Sequence, residues 1–309
     1  MRQSLIDSLM RVKISKSGAE FSRIIAGCMN WGEWGSKLTE SDAFELINNC
    51  IDIGVTTFDH ADIYGHYTTE TLFGNAIKNL GSLRNRMQLI TKCGIQLITP
   101  NRPNHNLKSY NTSKQHIIKS VENSLFNLNT DYIDLLLIHR PSPLMNPLEI
   151  AEAFEKLQRS GKVLHFGVSN FTPSQFELLD AHFPLCTNQI EVSPLLLDSF
   201  TNGVLDQCLL KNIKPMAYST LAGGQFFTRH HSEKVKRINK VLDKVSDKYK
   251  AGRDQIIIAW ILKHPSVILP VIGSTKIKRI EAAVAALSIE LSDEEWFSIY
   301  EASLGHEVA

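Results

Sequence analysis

The sequence carries no surplus of either charge: 33 Lys and Arg stand against 32 Asp and Glu, a formal net charge of +1 at pH 7. No field of one sign therefore draws the chain toward nucleic acid or an anionic membrane. No apolar run approaches the ~20 residues that a membrane span needs. Met1 to Met10 has no basic flank leading into an apolar core, so a signal peptide is not expected either, and the cytoplasm is the default compartment. The five cysteines, Cys28, Cys50, Cys93, Cys186 and Cys208, include no pair with the two-residue gap of a metal knuckle or redox couple. Reduced, mostly buried thiols and no metal site are expected. Also missing are a G-x-G-x-x-G run after the first strand and a G-x-x-x-x-G-K-[ST] run anywhere, which weakens the case for a doubly wound nucleotide-binding sheet. A small molecule is left as the expected partner.

What is present is alternation. In 309 residues with 43% hydrophobic content, runs of strand character recur at Ser22–Met29, Val55–Phe58, Met87–Cys93, Tyr132–His139, Val163–Asn170, Thr187–Ile190, Lys214–Ser219 and Val267–Ile272. Helical stripes lie between them. Thr39–Asp42 supplies N-cap candidates for a helix through Phe44 and Ile51 that Gly54 ends, and Ser113 caps one through Ile117 and Leu128. Others are predicted at Leu72–Ile77, Pro147–Ser160, Pro173–Leu179, Gly203–Leu210, Glu233–Tyr249, from an Asp254 cap through Leu262, at Lys276–Leu287 and at Asp293–Tyr300. Gln96–Ser113 has no periodicity, and a loop of that length in a compact domain is usually functional or disordered. Eight strand-helix units at this length predict a single-domain (β/α)8 TIM barrel over residues 1–309, with no repeat or linker dividing the chain.

Such a barrel keeps its chemistry at the carboxyl ends of its strands. Polar residues fall there in succession: Asp59 with Tyr64 just beyond, Lys92, His139, Ser169 with Asn170, Gln189, and Tyr218 with Ser219. Each has a plain structural alternative, as a helix cap, a satisfied buried imidazole or a backbone partner. Their agreement over six strands favours a site. A tyrosine near pKa ~10 needs about 4 kcal/mol of differential interaction to act at ~7, much of which a neighbouring ammonium supplies. Lys92 is the candidate ammonium, Asp59 the group that holds it, and His139 a donor to an oxygen that gathers negative charge. The loop after the first strand holds Trp31 and Trp34, candidate walls of a substrate pocket. The Gln96–Ser113 loop and the tail beyond Ala302 are expected to shape the same pocket.

The runs Phe58-Asp59-His-Ala-Asp-Ile-Tyr64-Gly, Thr91-Lys92, Ile138-His139-Arg-Pro, Gly167-Val-Ser-Asn170-Phe, Asn188-Gln189 and Gly273-Ser274 resemble the aldo-keto reductase superfamily in register over almost the whole chain. They come closest to its single-domain bacterial oxidoreductases. The resemblance implies a TIM barrel that binds NADPH/NADP+ without a Rossmann domain and reduces an aldehyde or ketone by hydride transfer. It places the catalytic tetrad on Asp59, Tyr64, Lys92 and His139, with Tyr64 the general acid. Carboxamide contacts fall on Ser169, Asn170 and Gln189, a ring stacking on the nicotinamide on Tyr218, and the pyrophosphate loop on Ser219, Leu221 and Gly223. Ser274, Thr275 and Arg279 fall at the adenosine 2′-phosphate. The chain departs from many members at Gly273, where they place a lysine, and at Ala282 and Ala283, where they carry Glu-Asn.

Three readings follow. The first is an NADP-dependent alcohol dehydrogenase or carbonyl reductase acting on a small-molecule carbonyl substrate, a monomer or weak homo-oligomer with no nucleic-acid or membrane partner. The second is a non-catalytic protein that senses redox state through bound NADPH. The third is a Schiff-base lyase using Lys92, which requires that lysine to be neutral.

Overall fold

Eight short parallel strands close on themselves in chain order. They are β1 (Ile25–Gly27), β2 (Thr57–Asp59), β3 (Gln88–Cys93), β4 (Ile133–Ile138), β5 (Val163–Ser169), β6 (Asn188–Glu191), β7 (Met216–Tyr218) and β8 (Leu269–Ile272). The computed structural model describes residues 10–309 except 17, 19, 79, 80 and 231. The start of the chain, expected to carry no signal sequence, lies outside the described residues as far as residue 9. Helices follow the strands and cover the barrel, so the whole described chain forms one (β/α)8 domain, as the alternation predicts. Among the described residues no helix is long and apolar enough to cross a membrane.

Local chemistry accounts for the helix boundaries. The Thr39 side chain accepts from Asp42 N and Asp42 returns the bond to Thr39 N, a reciprocal cap that opens helix Glu40–Asp52. Gly54, at φ 83°, takes the left-handed turn beyond its end. Ser113 accepts from His116 N at the head of Lys114–Asn127. Asp254 is not the cap expected of it. Helix Arg253–Leu262 begins after Gly252, whose N–H is taken by the Gln255 side chain, and Asp254 sits in the first turn, where its charge suits the helix dipole.

The strand register decides what faces inward. Gly27 pairs with Asp59 and Asp59 with Ile90; Lys92 pairs with Leu137, Leu137 with Gly167, Ser169 with Gln189, Gln189 with Met216, Met216 with Leu269, and Val271 with Ile25. Paired residues point to the same side of a sheet, as do residues two apart along a strand. The lower inward positions are apolar. Ile25, Ile90, Leu135, Leu137, Met216, Leu269 and Val271 form one buried cluster.

That cluster also includes Ile14 and Phe21, which belong to a hairpin the sequence reading did not anticipate. Arg11–Lys13 pairs antiparallel with Glu20–Ser22, so the predicted first strand Ser22–Met29 is two elements, with Ser22 in the hairpin and Ile25–Gly27 in the barrel. The hairpin closes the barrel floor. It is tied down by Lys214 N donating to Ile14 O and by Ser22 and Thr57 exchanging backbone and side-chain hydrogen bonds. Three-residue strands have little period-2 signal to read. The long Gln96–Ser113 loop also has a small ladder at its base, Ile95–Gln96 against Ser109–Tyr110.

Candidate active site

One layer above the apolar floor, the inward positions turn polar. Asp59 ends β2 and Lys92 lies two residues beyond Ile90, the register partner of Asp59, so both side chains enter the barrel from neighbouring strands. His139 stands two residues beyond Leu137, the partner of Lys92. Adjacent strand ends thus deliver the three groups to one volume.

Lys92 is 1% exposed. Its ammonium donates to Asp59 Oδ1 and Oδ2 at 2.8 Å each, to His60 O at 2.7 Å and to the Tyr64 hydroxyl at 3.1 Å. Burial pulls the lysine pKa down, and the charge and hydrogen bonds of Asp59 and Tyr64 outweigh it, so the net direction is up. The ammonium stays charged. The Tyr64 ring lies 6.1 Å from that of His139, near perpendicular, and 6.1 Å from that of Trp34. Burial, opposed by Lys92, carries the Tyr64 hydroxyl above the ordinary tyrosine value, against the expectation that the ammonium would bring it toward neutrality. The hydroxyl therefore keeps its proton at neutral pH, which is the state of an acid.

Burial, then the charges of Lys92, Arg140 and Lys108, hold His139 well below the usual histidine range. It is a neutral imidazole, and its Nδ1 has no hydrogen-bond partner. Immediately after Asp59, the fully buried His60 packs edge-on to Phe73 at 4.5 Å with neither ring nitrogen bonded. Burial and then Lys92 lower its pKa to about 3.

Gln189 stands differently from expectation. Placed with the carboxamide contacts, it reaches across the barrel and donates to Asp59 Oδ1 at 2.9 Å, from an inward position of β6 two residues before Glu191. Ser169 Oγ donates to Gln189 O at 3.0 Å, Asn170 Nδ2 to Ser169 Oγ at 2.8 Å, and the Tyr218 hydroxyl to Asn170 Oδ1 at 2.8 Å. These residues form one continuous polar wall. Gly167, the glycine below Ser169, is required by close packing, since a Cβ there would lie 2.7 Å from Thr187 O and 2.9 Å from Leu137 Cδ2.

Beyond β7 the chain turns sharply through Ser219 (φ 52°), Ala222 (φ 50°), Gly223 (φ 63°) and Gly224 (φ 87°), with the half-buried Leu221 among them. No heavy atom stands within 4 Å of where a Cβ would be at Gly223 or Gly224, so backbone is open to close approach by a phosphate. Beyond β8, Asn30 donates to Gly273 O at 3.1 Å, Ser36 and Thr275 share a hydroxyl bond of 2.8 Å, and Ser274 Oγ accepts from Lys276 N at 3.1 Å. Arg279 stands exposed in the first turn of helix Ile277–Ala285. These residues fit a dinucleotide laid over the rim: an amide-rich wall at one end, open glycine backbone in the middle, and a helix start with a guanidinium at the other.

Two pocket expectations change. Trp31 is 0% exposed and packs with Phe58 and Phe73 in the core between barrel and helices, so it lines no pocket. The tail beyond Ala302 turns back on its own helix, Val308 N donating to Glu301, with Gly305 beside Arg237 of helix Glu233–Tyr249. Trp34 does face the site, half-buried against Tyr64 and His66. The Gln96–Ser113 loop is tied to the same rim by Asn101 donating to His66 O at 2.8 Å. Sequence reasoning passed over Arg140, although it stands in the quoted run His139-Arg-Pro. Its guanidinium carbon lies 5.7 Å from the centre of the Tyr218 ring. All five cysteines are free and buried.

Comparison with known proteins puts this barrel among oxidoreductases. The profile described as the Aldo/keto reductase family matches residues 23–303, and the chain belongs to that family. It is similar to the Uncharacterized oxidoreductase YcsN of Bacillus subtilis (strain 168), 47% identical over 97% of this chain and 100% of that one. It is 38% identical to a 6-dehydroglucose reductase of Agrobacterium fabrum, with 97% and 100% covered. Among solved structures, the thermostable aldo-keto reductase Tm1743, in complex with the inhibitor epalrestat, superposes with a TM-score of 0.79 at 26% identity, over 94% of this chain and 99% of that one.

Proposed function

We propose that this oxidoreductase reduces an aldehyde or ketone to an alcohol with NADPH, Tyr64 acting as the general acid. The observation that carries the reading is the Lys92 ammonium bound to both Asp59 oxygens and to the Tyr64 hydroxyl. NADPH supplies the hydride when bound. Tyr64 holds a proton at the site's centre and gives it to the oxygen on which charge develops. Lys92 stabilises the phenolate left behind, and Asp59 keeps Lys92 in place. Neutral His139 donates to the same oxygen without competing for its proton. Ser169, Asn170, Gln189 and Tyr218 are the residues to hold and orient the nicotinamide ring, and Ser274, Thr275 and Arg279 the 2′-phosphate. For Gln189 this means trading its bond to Asp59 for one to the carboxamide.

The charged Lys92 disfavours imine formation, which needs a free amine. Since the raised Tyr64 hydroxyl keeps its proton through neutral pH, kcat/KM for reduction should be flat there and fall only above the ordinary tyrosine value of about 10. Fluorescence titration with NADPH beside NADH, followed by an aldehyde and ketone screen, tests the reading. Saturable binding with NADPH favoured, and turnover that Tyr64→Phe removes, is expected. A Tyr64→Phe variant as fast as the wild type would sink it.

A further inference from the structure

Arg140 follows His139 directly off β4, at the mouth of the site, yet it serves none of the roles above. Its Nη2 donates to the Tyr218 hydroxyl at a long 3.4 Å, and its Nη1 is enclosed with no hydrogen-bond partner at all. Among the described residues no carboxylate pairs with it, although Glu191, at the end of β6, is felt by the Tyr218 hydroxyl. Buried guanidinium groups elsewhere among the described residues have acceptors: Arg23 donates to backbone carbonyls of Ile268, Val267 and Leu262. Arg84 has a carboxylate, two carbonyls and a hydroxyl around it. A half-buried guanidinium with an unmade hydrogen bond loses free energy that a suitable acceptor would restore.

The charge balance around His139 points to what that acceptor is. Three cations bear on this ring: Lys92, Arg140, and Lys108 from the Gln96–Ser113 loop. Lys92 has its counter-charge in place, in Asp59, whereas no carboxylate among the described residues forms an ion pair with Arg140 or Lys108. Glu191, beyond the Tyr218 hydroxyl, offsets that positive charge only in part, so the mouth of the site keeps positive charge beside the position where a carbonyl would react. A neutral aldehyde leaves that charge unmatched, whereas an oxyanion fits the fork geometry of a guanidinium.

Building on the reductase reading above, we propose that Arg140 is a specificity-determining residue and that the substrate is a carbonyl compound carrying a carboxylate or similar oxyanion. The anionic group pairs with Arg140 while the carbonyl oxygen lies between Tyr64 and His139. Lys108, exposed on its loop, adds attraction on approach.

Two arms test this. Calorimetric titration of the protein with benzoate and with benzamide, with and without NADP+, should show benzoate tighter by about tenfold, a difference that Arg140→Met removes and Arg140→Lys keeps in part. In turnover, kcat/KM for 4-carboxybenzaldehyde over benzaldehyde should favour the acid by a similar factor and fall toward one in Arg140→Met. Equal binding of benzoate and benzamide by the wild type, or a preference that survives Arg140→Met, overturns the proposal. So does a variant that weakens only NADPH binding, since the guanidinium would then belong to the cofactor. If Arg140→Met does not fold, the wild-type preferences and the Arg140→Lys response decide. Failure to reduce either aldehyde counts against the reductase reading, and the benzoate arm still decides Arg140.

Discussion

Two buried ion pairs stand at opposite ends of the barrel, and they are built differently. Toward the floor, Arg84 meets Asp134 at 2.7 Å, both side chains about one-tenth exposed. Arg84 also donates to Thr130 Oγ1, Met87 O and Tyr132 O and lies 3.8 Å over the Tyr132 ring, while Asp134 takes a further bond from Leu89 N. Each nitrogen of that guanidinium is used. At the opposite end, Asp59 and Lys92 are as well bonded to each other, but their neighbours are not: His139 Nδ1 and Arg140 Nη1 have no partner, nor has either nitrogen of His60, which is packed against Phe73 outside the barrel. A pair satisfied within the chain has nothing left to offer a ligand. The unmade bonds of His139 and Arg140 leave this end of the barrel with groups to offer one.

The sharpest way to break this comparison is to remove the cation from each pair. Lys92→Met leaves the Asp59 carboxylate buried without its ammonium and Tyr64 without its phenolate partner. Stability should fall by roughly 3 to 5 kcal/mol and carbonyl reduction by about 10³-fold or more. Urea denaturation and steady-state rates measure the two losses separately, and normal turnover by the variant would contradict the site. Tyr64→Phe should cause the same kinetic loss with little change in stability.

Arg84→Met is the counterpart at the floor. A loss of roughly 3 to 5 kcal/mol is expected from the uncompensated Asp134, with kcat/KM of the folded fraction close to wild type. A large kinetic defect in a folded Arg84→Met protein would mean that the two ends are not independent.

His60 sharpens the contrast through pH. Its native pKa is about 3, below its value near 6.5 in the unfolded chain. As pH falls below 6.5 the unfolded state takes a proton that the native state refuses, so stability declines through the window from 6.5 to about 3. Between pH 6.5 and 5 this group alone should account for about 2 kcal/mol of the decline. His60→Leu should flatten that slope, read from urea midpoints at the two pH values; an unchanged slope would place the acid sensitivity elsewhere.

The smallest effect concerns the cofactor rim. Arg279 is exposed and free to pair with a 2′-phosphate, so Arg279→Ala should weaken NADPH binding by about tenfold and leave NADH nearly unaffected, measured by fluorescence titration. An equal change in both would remove Arg279 from that contact.

How much of this was legible in the sequence depended on the length of the signal. The helix Glu233–Tyr249 spans seventeen residues of amphipathic pattern and was read to its ends. Asp59, Lys92 and His139 were legible as candidates because each stands at the end of a strand-like run, where a barrel shows its polar residues, and Tyr64 only as the tyrosine in the loop that follows Asp59. The floor hairpin was not. Arg11–Lys13 and Glu20–Ser22 are three-residue strands whose partners are chosen by what the barrel leaves open, and Trp31 in a loop is the same residue in a sequence whether it faces a pocket or the core.

The sequence by itself determined the alternation of strand and helix, hence the closed barrel, and the chemical type of residue at each strand end. Those properties are local, set by periodicity, caps and composition. Only the tertiary structure decided which polar atoms are matched and which are left over: Gln189 on Asp59, a proton kept on Tyr64, Arg140 without a counter-charge. Hydrogen-bond partnership and desolvation depend on distances between residues far apart in the chain. Closing the barrel brings Asp59 and Gln189, 130 positions apart, to 2.9 Å.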